Sequence, residues 1–184
     1  YVTPANEFPV REFIARHNAE SRTIGYNKTM MIFHMIEDRI GTDNFFQAWR
    51  NIFAAHKGEQ VTWEQWLAAY EQTSGQDLSD IIPQWVDRTG AAKIEVELLE
   101  SDQANGQTHV KFKVTQPDQE YNLRIPVKFI GIDVPVNVVT LSGAEAVFEF
   151  TVPGLATGFE LDPDYDLFRH LYPEEIEPTI AAVL

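Results

Sequence analysis

Cysteine is absent from the 184 residues, which excludes disulfides, thiolate metal sites and a cysteine nucleophile. Any metal would have to be held by histidines and carboxylates. Positive charge is scarce: 14 Lys and Arg stand against 28 Asp and Glu, for a formal net charge of −14. Such a surface repels phosphate backbones and anionic headgroups, so no nucleic-acid partner is expected. Long apolar runs are missing as well. The longest, Met30 to Ile36, falls well short of the roughly 18 residues that cross a bilayer, and no transmembrane segment is expected. There is no initiating Met and no basic stretch leading into an apolar leader, so the chain reads as a segment of something longer. HExxH, a G-x-S-x-G elbow and the glycine-rich phosphate loops are all missing. No self-sufficient active-site motif remains.

What is present suffices for a packed core: 44% of residues are hydrophobic and 12% aromatic, enough for one or two compact domains. The apolar period changes near Gly90, where a domain boundary is expected. Before it the spacing is helical. Phe45, Trp49, Ile52 and Phe53 form one stripe on a helix starting at Thr42, and Trp63, Trp66, Leu67 and Tyr70 form another, opened by a Thr62/Gln65 capping box. Leu78, Ile81, Ile82 and Trp85 form a third, starting near Ser79. Gly41, Gly58, Gly75 and Gly90 fall where such helices stop, as left-handed C-terminal glycines do. Tyr26 to Ile40 is apolar on every side of its middle turns and is expected to be the buried helix, and Phe8 to His17 a short amphipathic one.

From Lys93 the period becomes two. Ile94, Val96 and Leu98, then Val110, Phe112 and Val114 across an Ala104-Asn105-Gly106 turn, predict a β-hairpin. Strand-like runs follow at Tyr121 to Ile130, Val134 to Leu141, Ala144 to Val152 and Phe159 to Leu161, giving a small antiparallel β-sandwich. A short helical tail is expected around Tyr165 to Leu171. The fold class is therefore α+β, divided into a helical part (1–90), a β-sandwich (91–164) and a C-terminal tail (165–184). Residues 1–90 carry 12 acidic and 8 basic groups and residues 91–184 carry 16 and 6, so most of the acidity belongs to the β half. Without a low-complexity linker, the two halves are expected to pack against each other.

Five histidines, His17, His34, His56, His109 and His170, include no pair spaced to share a helix face toward a metal. His34 and Glu37 lie one turn apart, but two ligands do not make a catalytic zinc site. The simpler expectation for His34 is a packed histidine hydrogen-bonded to a neighbour. The acidic tail, with Asp162, Asp164, Asp166, Glu174, Glu175 and Glu177, lacks a calcium-loop order and reads as a solvated surface.

Gly25-Tyr26-Asn27-Lys28-Thr29 opens the most apolar helix with a polar turn. The run Ile24 to Ile36 resembles the Y-x-K-G/A helix of the gluzincin zinc aminopeptidases, the aminopeptidase N family. Ile40 to Phe46 is similar to that family's "iGeeaFf", and Gly75 to Leu78 followed by Gln84-Trp85-Val86 to its "sGkdL…qWl". Arg124 to Val127 and Leu161 to Asp164 sit where those enzymes have strands of a β-sandwich. The resemblance is strong over 24–90 and weaker over 91–164. It implies a thermolysin-like lobe whose zinc is held by HExxH and a downstream Glu, upstream of this chain, with residues 1–90 as the end of that lobe.

On this resemblance Tyr26 matches the tyrosine that donates a hydrogen bond to the oxyanion of peptide hydrolysis, a role worth about 3 kcal/mol of barrier. The chain is then the C-terminal part of a zinc metallopeptidase. It is inactive alone, with no metal or cofactor site of its own, and its partners are the missing N-terminal catalytic domain and, in the whole protein, a peptide substrate. Thr29 stands where the family has Gly or Ala, and its branched side chain would crowd the helix against the metal domain. Lys28 reads as a surface cap or ion-pair partner. Two rival readings use the same fold, a non-catalytic protein-interaction module and a degenerate peptidase scaffold. The catalytic reading places Tyr26 at an exposed cleft edge amid uncovered apolar surface; the module reading buries and satisfies it.

Overall fold

The computed structural model describes residues 2–176, in which four helices precede two three-stranded antiparallel sheets. Contacts group the chain into two units: residues 2–90 with 165–168, and residues 91–164 with 169–176. Among the described residues no helix is long and apolar enough to cross a membrane.

In the helical unit, α1 (Ala19–Arg22) is opened by a reciprocal cap between Asn18 and Ser21. It runs without a break through a π-helical stretch, Thr23–Lys28, into α2 (Thr29–Ile40). Gly41, at φ +81° and ψ 149°, ends α2 and leads directly into α3 (Thr42–Ala55). Its positive φ is the one expected, but the extended ψ turns the chain rather than capping it in the left-handed helical region. Thr42 is the first helical residue rather than the cap, and its hydroxyl donates to Glu37 Oε1 at 2.9 Å. The Thr62/Gln65 capping box opens α4 (Trp63–Ser74), and Gly75 closes it in the left-handed conformation. Ile32, Ile36, Ala48, Leu67, Tyr70 and Leu78 are buried between these helices. Aromatic rings fill the rest, with Phe33 stacked on Trp63, Phe45 on Tyr70, and Trp49 against Trp66 at 4.5 Å.

Three expectations in this unit are corrected. Phe8 to His17 contains only the 3-10 turn Val10–Glu12. Arg11 in this segment reaches across the unit instead to Glu64 and Asp87, and Glu7 just before it takes the Gly90 N–H. The third stripe becomes a π-type turn at Ile82–Val86, three residues after the expected start at Ser79, whose N–H donates to the Asp77 carboxylate at 2.9 Å. The α2 segment is buried on one side only. Ile32, Met35, Ile36 and Ile40 face inward, whereas Met30 is 62% exposed and Tyr26, one turn before it, 57%.

The second unit is a sandwich. β1 (Glu95–Ala104), β2 (Gln107–Thr115) and β5 (Glu145–Pro153) form one sheet in the order β1-β2-β5. β4 (Asn137–Leu141), β3 (Leu123–Ile130) and β6 (Gly158–Leu161) form the other, with β3 central. Asn105 and Gly106, at φ +53° and +74°, make the expected tight hairpin turn, with Ala104 opposite Gln107. Inward residues meet across the sheets: Phe112 of β2 stacks on Phe159 of β6 at 4.5 Å and Phe129 of β3 meets Phe150 of β5 edge-on. β1 is exposed along its whole length despite its alternation. It lies at the edge of its sheet and carries a bulge between Leu98 and Glu100.

No helix forms at Tyr165 to Leu171. The Arg169 backbone bridges Ala92, the His170 N–H donates to the Ala92 carbonyl, and the Arg169 guanidinium is buried against Asp162 (2.7 Å) and Glu175 (2.8 Å). These ties hold the segment extended. Of the expected solvated acidic surface, Asp164 and Glu174 are exposed, whereas Asp162 is fully buried in an ion pair, Glu175 pairs with Arg169 and Asp166 binds His34. Glu177 lies outside the described residues.

Candidate functional site

Tyr26 sits in the π-helical stretch, where one turn takes in an extra residue; such turns recur at functional sites. Its backbone carbonyl accepts from the Thr29 N–H as the run passes into α2. Tyr26, Thr29, Met30, Phe33, His34 and Glu37 line an open hollow of about 470 Å³ on the outer side of that helix. Among the described residues the Tyr26 hydroxyl makes no hydrogen bond, and its ring touches Phe13 edge-on at 5.8 Å. Thr29 lies at the hollow as well, half-buried.

His34 and Glu37 border the same hollow, and each already has a partner. His34 Nε2 lies 2.7 Å from Asp166 Oδ1, and Glu37 accepts from Thr42. His34 is therefore hydrogen-bonded as expected, but exposed rather than packed in a buried helix.

Lys28 departs furthest from its expected surface position. It is 4% exposed, and its ammonium donates to the carbonyls of Arg88 (2.7 Å) and Gly90 (3.1 Å) and lies over the Phe168 ring. Burial pulls its pKa down to about 8; Glu7 opposes that shift and Arg88 adds to it. A lysine stripped of water keeps its charge only by donating to such carbonyls. Glu7 and Lys28 thus hold the two polar groups of the Gly90 backbone, its N–H and its C=O respectively.

At the floor of the hollow, the Trp49 indole N–H, and near it the Tyr70 hydroxyl, are buried without a hydrogen-bond partner among the described residues. Burial pushes the Tyr70 pKa above its ordinary range; the Trp49 N–H is near enough to pull it back slightly, yet not aligned to bond.

A crystal structure of Legionella pneumophila aminopeptidase A in complex with aspartic acid superposes on 92% of this chain with a TM-score of 0.65. The chain resembles a fragment of an aminopeptidase. At 19% identity the likeness is one of fold, and the chain spans 21% of that structure's length. No family model and no curated protein matches the chain. This aminopeptidase-like fragment offers no metal ligand set of its own among the described residues, where no three His, Asp or Glu side chains converge. The zinc implied by the resemblance does not fit these residues.

The sequence reading singled out Tyr26 and missed its surroundings. Phe13 was assigned to a helix that does not form, and nothing local marks Lys28 as buried, because its carbonyl partners lie 60 and 62 residues away. Asp166 was read as one acid among many.

Proposed function

We propose that this chain is the C-terminal part of a zinc-dependent, aminopeptidase-like peptidase, with Tyr26 as its contribution to catalysis. In this reading residues 1–90 end the catalytic lobe, 91–164 are an accessory sandwich and 165–184 a C-terminal tail. The metal and the general base belong to the preceding catalytic domain of the same polypeptide. The observation that carries the reading is the phenol itself: exposed, without an internal partner, and presented at an open hollow by a π-helical turn. A hydroxyl that spends nothing on the protein is available to an oxygen that becomes negative when a peptide carbonyl is attacked. Stabilising that charge lowers the barrier more than it strengthens substrate binding. The exposed Met30 beside Tyr26, and the fold shared with part of an aminopeptidase, support the same reading.

The test compares this chain with the full-length polypeptide for zinc content and cleavage of aminoacyl-p-nitroanilides. Only the full-length protein is expected to hold about one zinc and to cleave. Tyr26→Phe in it should lower kcat roughly 100- to 1000-fold with zinc retained. If the full-length protein binds no zinc and cleaves nothing, the scaffold serves a protein partner instead.

A further inference from the structure

Gly25 precedes Tyr26 inside a helical run, where glycine costs about 1 kcal/mol relative to alanine. Its backbone does not ask for glycine, since its φ lies outside the left-handed region that excludes other residues. Space does. A Cβ built on Gly25 would lie 2.2, 2.3 and 2.4 Å from three carbons of the Phe13 ring, far inside contact distance. Phe13 therefore occupies the volume that the glycine leaves empty. From that seat its ring meets Tyr26 at 5.8 Å with an interplanar angle of 70°, the edge-to-face arrangement aromatic pairs favour. The seat is delivered by the 3-10 turn Val10–Glu12, whose Val10 carbonyl accepts from the Phe13 N–H at 3.0 Å.

An exposed tyrosine at the rim of an open hollow has several staggered rotamers available. A fixed ring against one side removes some of them before substrate arrives, and such prepositioning lowers the barrier. We propose that Gly25 and Phe13 are positioning residues for Tyr26: the glycine admits the Phe13 ring, and the ring fixes the direction of the phenol. This rests on the reading of Tyr26 given above, and extends it to two side chains that touch no reacting atom.

The test has two arms. In the full-length polypeptide, Gly25→Ala adds the methyl that displaces Phe13, and Phe13→Leu removes the ring without touching the helix. Each should lower kcat roughly 10- to 100-fold with KM within about twofold, and neither should lower it further in a Tyr26→Phe background. Because alanine favours helix more than glycine does, Gly25→Ala should fold; if it does not, Phe13→Leu decides alone. Equal losses in both backgrounds overturn the proposal, because a general loss of structure does not depend on the phenol. If Tyr26→Phe itself leaves kcat unchanged, it is the catalytic reading of Tyr26 that falls. The second arm needs no activity: in this chain labelled with 13C-tyrosine, the Tyr26 ring signals, assigned by Tyr26→Phe, should shift in both variants while those of the other tyrosines stay in place. Tyr26 signals unmoved in both variants also overturn it.

Discussion

Tyr26 and Met30 of the helical unit are more than half exposed, whereas Phe112, Val114, Ile125 and Val127 of the sandwich are fully buried. Both units carry enough aromatic and aliphatic side chains to fill a core, and the sandwich packs them between its two sheets while its edge strand β1 stays exposed. Its remaining charges at the core are satisfied internally by the Asp162, Arg169 and Glu175 cluster. The helical unit packs one side of α2 into Ile32, Met35, Ile36 and Ile40 and leaves the other to solvent. Exposed apolar surface of this kind marks a place where something else binds. Here it coincides with Tyr26, whose hydroxyl has no partner among the described residues.

The largest effect should come from opening the sandwich's charge cluster. Arg169→Ala takes away the buried guanidinium that pairs with Asp162 and Glu175, and is expected to cost about 3–5 kcal/mol in urea unfolding followed on the β unit. A cost under about 1 kcal/mol would show that the sandwich does not depend on internal satisfaction.

Lys28 gives the helical unit its own buried charge, with a consequence for pH. Its folded pKa, about 8, lies below the unfolded value of 10.5, so between those values the unfolded chain holds a proton that the folded chain has released. Stability therefore rises with pH across this window. By pH 10 the wild type should have gained about 2–3 kcal/mol over its pH 7 value relative to Lys28→Met. Parallel pH profiles for the two proteins would mean that Lys28 keeps its proton through its two carbonyl partners.

Tyr70→Phe removes a buried hydroxyl without a partner and should raise stability by about 1 kcal/mol, read as an increased denaturation midpoint at constant slope. Smallest of all, Met30→Ser should change the stability of this chain by less than about 0.5 kcal/mol. A loss several times larger would place Met30 in the folding core and erase the contrast between the two faces of α2.

The strands were legible because period two and an Asn-Gly turn are local signals, and their edges fell within a few residues of those expected. Helix ends were legible for the same reason at Gly75 and at the Thr62/Gln65 box. What escaped the sequence depends on distant partners. Phe8 to His17 has helical spacing, but its Arg11 is committed to Glu64 and Asp87, and Glu7 just before it to Gly90. The apolar middle of α2 suggested burial on all sides, because composition does not say how many neighbours are present to cover it. At the candidate site Tyr26 stood out by its place in a motif. The wide π turn and the Gly25–Phe13 contact left no periodic trace, since one residue gained in a turn does not alter the composition of the run.

Along β1, Val96, Leu98 and Leu99 lie exposed beside Glu95, Glu97, Glu100 and Asp102, on a strand whose outer edge has no neighbour in its sheet. A second molecule adding itself to that edge would bring carboxylates against carboxylates, and the bulge at Leu98/Glu100 breaks the register it would need. Resistance to edge-on self-association thus rests on the carboxylates and the bulge of one strand.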